Sequence, residues 1–310
     1  MATIAILGNH GCPFSTESEL DWTLENMGHR VIKLQENNIT THEVVMATRE
    51  RGARLLIWVH THGWEMIGTI TQEKMLNELR SSGIKLASFH LDRYWGLNAL
   101  DGREDRVGTH AFWKTDAVFT ADGGNDDKFL DRNVRHVWLP PAVVEKDCYF
   151  GKPAPQYNSP VCFTGADGYH PEYPFRPLMV NRLKERYGSN FRVYQGVRQD
   201  DLNNLYASVR VVVGDSCFAG SDRYWSDRVP EVLGRGGFLI FPKTPGLEIP
   251  GLVTYEPGNI DDLIKKINYW VDDDNQAQRK EIVIQTQAHV KANDTYTQRM
   301  RFLLDHMGVK

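Results

Sequence analysis

Between Ser221 and Phe241 the chain places Asp227, Arg228, Pro230 and Glu231 ahead of a glycine-rich turn made by Gly234, Gly236 and Gly237. The segment from Val229 to Leu233 has the length of one short helix, which the glycines end. Unpaired amides at a helix start attract an anion, and the helix dipole adds roughly 0.3 to 1 kcal/mol to that attraction. Arg228 beside them adds a charge-assisted contact worth about 1.5 to 3 kcal/mol. Glu231, one turn further in, is placed to accept both hydroxyls of a ribose. Together these residues suit a nucleoside diphosphate. The same charges also serve as ordinary caps and surface groups, so the pattern alone leaves both readings open.

In the first half, Phe89-His90-Leu91-Asp92 ends an apolar run. An acid at such a place, Asp92, has the chemistry to take a proton from a hydroxyl, and a positioned general base is worth roughly a hundred- to ten-thousand-fold in rate. His90 and Asp92 also suit a plainer role, holding the Arg93-Tyr94-Trp95 loop that follows. Gly8-Asn9-His10-Gly11 comes after the first apolar run, where glycines let the backbone approach a substrate closely. His10 reads as a loop histidine. His60 and His62 sit two apart with no third ligand nearby, so no metal site is expected.

Short apolar or β-branched runs must position these residues. In the first half they are Thr3 to Leu7, Val31 to Leu34, Leu55 to Val59, Leu86 to Phe89, Ala117 to Thr120 and Val134 to Leu139. In the second half they are Val161 to Thr164, Phe191 to Tyr194, Val209 to Val213, Phe238 to Phe241 and Leu252 to Tyr255. Stretches of helical period separate them, the pattern of parallel strands with crossover helices. Thr16 with Glu19, and Thr40 with Glu43, have the spacing of capping boxes. Asn259 caps the apolar stripe Ile260, Leu263, Ile264, Ile267 and Val271, and Phe175, Met179, Leu183 and Tyr187 form another stripe.

The expected fold class is α/β, with two Rossmann-like doubly wound domains facing a central cleft and a helical C-terminal tail. The Pro-rich stretch Gly151 to Gln156 marks the boundary, giving domains 1–150 and 151–290 and a last helix within 291–310 that crosses back to the first. Ligands of open α/β sheets bind beyond the carboxyl ends of the strands, so the active site is expected in that cleft.

Over 310 residues, 36 Lys and Arg against 40 Asp and Glu give a net charge of −4, which excludes a strongly basic nucleic-acid coat but leaves room for a local basic groove. The hydrophobic share of 41% fits a globular chain. Cys12, Cys148, Cys162 and Cys217 form no CxxC pair, which fits a reducing compartment. With no secretory leader and no apolar stretch near the roughly 20 residues of a spanning helix, the expected location is the cytoplasm, without membrane insertion.

The Arg228-Val229-x-Glu231-x-Leu233-x-x-Gly236-Gly237 segment, running into Phe238-Leu239-Ile240-Phe241, resembles the donor-binding segment of GT-B glycosyltransferases of group 1, and among them the CgeB-like group. The likeness covers most of residues 160 to 305 and, more loosely, the first half. It implies metal-independent transfer of a hexosyl or pentosyl group from a nucleotide sugar such as a UDP-sugar, with no further cofactor. Ser226, Asp227, Arg228, Val229 and Glu231 then belong to the donor site. Gly165, after Val161-Cys162-Phe163-Thr164, matches the turn that opens the second domain, and Gly196-Val197 the segment that meets the donor base.

In such enzymes a basic side chain soon after that turn holds the diphosphate. Here Arg176 is the substitute. Gly8, His10 and Gly11 fall near the transferred sugar or the acceptor, and His90 and Asp92 near the reacting centre. His90 would hold a sugar hydroxyl in a retaining mechanism, whereas Asp92 would be the base in an inverting one. Retaining members often carry a second Glu eight positions before the ribose-binding one, where this chain has Arg223. The acceptor is a glycan, a protein, a small molecule or a hydroxymethylated base in phage-type DNA, the last calling for basic residues such as Arg93, Arg103 and Arg106. Two alternatives stay open, a non-catalytic nucleotide-sugar-binding protein and a sugar epimerase of the same architecture.

Overall fold

The computed structural model describes residues 1–59, 68, 70–96, 104–168, 173–217 and 220–310. The chain divides into two compact units, one of Met1–Pro140 with Tyr296–Lys310 and one of Pro141–Thr295. The division falls at the Pro140-Pro141 pair rather than at the Pro-rich stretch after Gly151. The reason is visible in the intervening residues, because the buried Asn203 amide donates to the Asp147 and Tyr149 carbonyls at 2.9 and 2.8 Å. These bonds tie the segment to unit 2.

Unit 1 carries β1 (Thr3–Gly8), α1 (Thr16–Asn26), β2 (Arg30–Gln35), α2 (Thr41–Glu50), β3 (Leu55–Val59), α3 (Gln72–Ser81), β4 (Lys85–His90), β5 (Ala117–Thr120), α4 (Asp126–Asp131) and β6 (His136–Trp138). Unit 2 carries β7 (Val161–Thr164), α5 (Arg176–Tyr187), β8 (Phe191–Tyr194), α6 (Gln199–Ser208), β9 (Val211–Val213), α7 (Arg228–Gly234), β10 (Leu239–Pro242), β11 (Val253–Tyr255), α8 (Ile260–Val271) and α9 (Gln276–Asn293). The last helix, α10 (Tyr296–His306), belongs to unit 1, where Arg299 Nε donates to the Pro140 carbonyl at 2.8 Å.

The strand order is β2-β1-β3-β4-β5-β6 in unit 1 and β8-β7-β9-β10-β11 in unit 2, with every pairing parallel. Such strands are covered on both faces, which is why β3 (LLIWV) and β9 (VVV) are buried at every position. In each sheet the chain leaves its first strand one way and its third strand the other. This reversal opens a crevice at the strands' carboxyl ends, between β1 and β3 and between β7 and β9.

Helix starts follow the sequence in most places. Thr40 and Glu43 form a reciprocal capping box, and the Asn259 side chain accepts the Asp262 amide at 3.0 Å. The first helix is capped one residue earlier than the Thr16–Glu19 spacing implies. The Ser15 hydroxyl accepts the Ser18 amide at 3.3 Å, because it is held in place by donating to the Asn9 carbonyl at 3.0 Å. Among the described residues no helix is long and apolar enough to cross a membrane.

Candidate active site

In unit 2 the carboxyl ends of β7 and β9 bracket a buried carboxylate, Asp215, which binds two arginines. Arg176, the first residue of α5, donates to it from Nε at 2.7 Å and from Nη2 at 3.3 Å. Arg228, the first residue of α7, donates from Nη1 at 2.7 Å and reaches the Thr164 carbonyl from Nη2 at 3.0 Å. Both guanidiniums lie against the Phe163 ring, and Arg176 stacks on Tyr173 with its Cζ 3.8 Å from the ring centre. Two cations share one carboxylate, leaving one formal positive charge at the switch point. Asp215 was visible in the sequence only as the residue after a strand. Its partners are 39 and 13 positions away, and no local spacing points to them.

Gly165 has φ +116°, in the region that favours glycine, and a Cβ there would lie 3.1 Å from Arg228 Nη2. The glycine therefore lets the guanidinium come up against the β7 turn. Ser226 supports the same turn, its hydroxyl donating to the Asp215 carbonyl at 3.3 Å. Asp227 is exposed and makes no capping bond. The start of α7 offers fewer amides than its sequence implies, because the buried Val229 donates to the Ser226 carbonyl and Pro230 has no N–H. Affinity for an anion therefore rests on guanidiniums more than on the helix end.

Glu231 follows Arg228 by three positions on α7, and its Oε2 accepts from Arg235 Nε at 2.6 Å. Burial pushes its carboxyl above the ordinary glutamate range, and the attraction and hydrogen bond of Arg235 offset this only in part. Gly196 and Val197 follow β8, the neighbour of β7, with Gly196 exposed at φ +71°. Arg223, eight positions before Glu231, is held at φ +46° with its amide on the Pro245 carbonyl.

In unit 1, His90 is the last residue of β4 and is buried, its ring edge-on to Tyr94 and Phe112. Its Nδ1 accepts the Asp92 backbone N–H at 2.9 Å, so the neutral ring carries its proton on Nε2. That bond makes His90 the anchor of the residue that bears the Asp92 carboxylate. Behind it, fully buried Asp122 accepts the Tyr94 and Trp95 amides at 2.9 and 3.0 Å. Burial raises the Asp122 carboxyl, and those amides with Arg93 and Asn125 counteract the rise.

The turn after β1 is built on acids. Glu17 accepts the Asn9 amide at 2.9 Å, and a Cβ on Gly8 would meet Glu17 Cγ at 2.7 Å. His10 Nδ1 lies 2.9 Å from Asp21 Oδ2 and its Nε2 lies 3.1 Å from the Ile6 carbonyl. Two acceptors face the two ring nitrogens, an arrangement that favours the protonated ring. Burial alone would lower its pKa, but the Asp21 bond and charge, the Ile6 carbonyl and Glu17 outweigh burial and raise it. Gly11 donates to the Asn9 side chain at 3.1 Å. His60, His62 and Arg103 lie outside the described residues, while Arg106 is exposed and Arg93 donates to the Trp95 carbonyl at 2.5 Å.

A family described as glycosyl transferase-like matches residues 164–305, which contain every donor-site candidate named above. No curated protein matches the chain by sequence. Among solved structures, Anabaena HepE in complex with UDP and glucose is similar at a TM-score of 0.66 and 12% identity, over 99% of this chain and 100% of that one. The chain has the GT-B fold. A glycosyltransferase from Rickettsia africae is similar at 0.63 and 11% identity, over 99% and 97% of the two chains. The DNA-modifying enzyme β-glucosyltransferase is similar at 0.56 and 11% identity, over 99% and 100%.

Proposed function

We propose that the chain is a glycosyltransferase that moves a sugar from a nucleoside-diphosphate sugar to a hydroxyl acceptor. One observation carries the reading: two arginines fixed on a single buried carboxylate at the β7/β9 switch point, inside the stretch that matches the glycosyl transferase-like family. The UDP and glucose in the HepE structure support a hexosyl donor on uridine diphosphate. The Arg228-Val229-x-Glu231 pattern supports membership of the CgeB-like group.

In this mechanism Arg228, backed by Arg176, binds the diphosphate, and Glu231 accepts the ribose hydroxyls. The bond from the anomeric carbon to the diphosphate oxygen breaks, and its electron pair leaves with the diphosphate. Fixed guanidiniums neutralise the charge that develops there, the largest kind of contribution in such reactions. The guanidiniums take the part a divalent ion would otherwise play, so transfer proceeds without metal. The acceptor oxygen bonds to the anomeric carbon and gives its proton to Asp92, which His90 positions through the Asp92 amide.

A thermal-shift and turnover screen against nucleoside diphosphates and nucleotide sugars tests the reading. A ligand at a hundred times its Kd stabilises by about 2.7 kcal/mol, a shift well above noise. UDP-glucose or a related donor should raise the midpoint and release nucleoside diphosphate at a rate unchanged by a chelator. Binding without release across donors and acceptors would leave a binding protein, and a free sugar product formed without acceptor would point to epimerisation.

A further inference from the structure

The amino ends of β4, β5 and β6 and the last turn of α10 border a cavity of about 370 Å³, all within unit 1. It lies at the edge of the sheet opposite to the β1/β3 crevice, and its volume falls at the lower end of the roughly 300 to 1,000 Å³ of small-molecule sites. Three chain segments bring cationic or hydrogen-bonding groups to it. Lys85 opens β4, Arg135 directly precedes β6, and His306 ends α10 with its ring edge-on to Phe119, 5.5 Å between centres.

The acids within reach are already used. Among the described residues Asp116 is the one carboxylate lining the cavity, and it accepts Arg80 Nε at 2.8 Å on one oxygen and the Leu86 amide at 2.9 Å on the other. His136, also on the wall, has Asp126 Oδ1 2.9 Å from its Nδ1. Lys85 and Arg135 are exposed, and among the described residues neither makes an ion pair or a side-chain hydrogen bond. With Asp116 neutralised by Arg80, these two leave two formal positive charges on the wall, and His306 adds a ring nitrogen. Like charges gathered around one cavity add nothing to stability, so packing does not account for them. Val137 and Met307 supply apolar surface beside them.

We propose that this cavity is a second anion site, which takes a phosphate monoester such as a sugar phosphate. A dianion matches the two cations. Arg135 offers a fork of N–H donors and Lys85 a compact charge, both well suited to phosphate oxygens. Val137 and Met307 give an organic body apolar surface to lie on, which a site for a bare ion does not need. The proposal is independent of the nucleotide reading, because the cavity shares no residue with the β7/β9 end of unit 2.

The test is an NMR titration of the full chain with glucose 6-phosphate, inorganic phosphate and succinate, following the backbone amides of Lys85, His136 and Met307. Glucose 6-phosphate should shift these amides saturably, at least as tightly as inorganic phosphate and more tightly than succinate. Lys85→Met and Arg135→Met replace exposed side chains, so both proteins should fold. Each should weaken glucose 6-phosphate roughly two- to fivefold, the effect of one solvated charge pair, and the double variant should weaken it more than either alone. Arg228→Met should leave it unchanged. No saturable shift in wild type, an unchanged affinity in the double variant, a loss of binding in Arg228→Met, or succinate binding as tightly as glucose 6-phosphate would each overturn the proposal. Failure of wild type to bind UDP would instead overturn the nucleotide reading and leave this site standing.

Discussion

The two units share a strand order yet carry opposite chemistry at corresponding places. At the end of β7, two guanidiniums surround the one carboxylate of Asp215. At the end of β1, two buried carboxylates, Glu17 and Asp21, flank His10, and Asp21 Oδ2 meets both His10 Nδ1 at 2.9 Å and Lys33 Nζ at 3.3 Å. The first arrangement suits a diphosphate. In the second, the acids are taken up by the turn itself. Topology fixes where a ligand can sit, whereas the residues that follow each first strand decide its charge.

The largest way to sharpen this contrast is Asp92→Asn. Removing the base of the proposed mechanism should lower turnover by roughly a hundred- to ten-thousand-fold while the Kd for UDP stays as in wild type, read by steady-state kinetics and calorimetry. A matching loss of affinity would mean that unit 1 helps to hold the nucleotide. Arg228→Met acts on the other side, and UDP should bind roughly ten- to a hundredfold more weakly. Its Asp215 neighbour remains paired with Arg176, so the fold should survive, as circular dichroism can verify.

A smaller effect probes the acidic turn. His10 has a raised pKa in the folded chain, so its stabilising contribution is complete below the ordinary value of 6.5 and is lost as pH rises through the higher one. The thermal midpoint of wild type should therefore fall over that window, and His10→Gln should flatten the fall. An equal slope in both proteins would show that the imidazolium does not support the turn. Smallest of all, Thr40→Ala removes the cap of α2 and should cost about 1 kcal/mol, a shift of roughly 2 to 4 °C, with no change in nucleotide affinity.

The sheets were legible because parallel strands buried on both faces write themselves as unbroken apolar runs, as Leu55 to Val59 does. The edge strand was less legible: β6 spans only His136–Trp138 of the run expected from Val134 to Leu139, although Val134 and Leu139 are themselves buried beside it. At the candidate site, the α7 segment was legible because Arg228, Glu231 and the glycines are close in sequence. Asp215 was not, since its meaning comes from arginines brought to it by two different helices. Arg235 has a sequence signal, the Glu-to-Arg spacing of four on one helix face. Its burial, and its ties to Asp147 and Asn203, depend on a segment 88 residues away.

The claim at the centre of this account is that the β7/β9 end of unit 2 holds a nucleoside diphosphate. A crystal structure of the protein with UDP tests it most directly. The account predicts diphosphate oxygens about 3 Å from the Arg228 guanidinium and ribose hydroxyls on the Glu231 carboxylate. Density for UDP elsewhere on the chain, with Arg228 and Glu231 untouched, would contradict it.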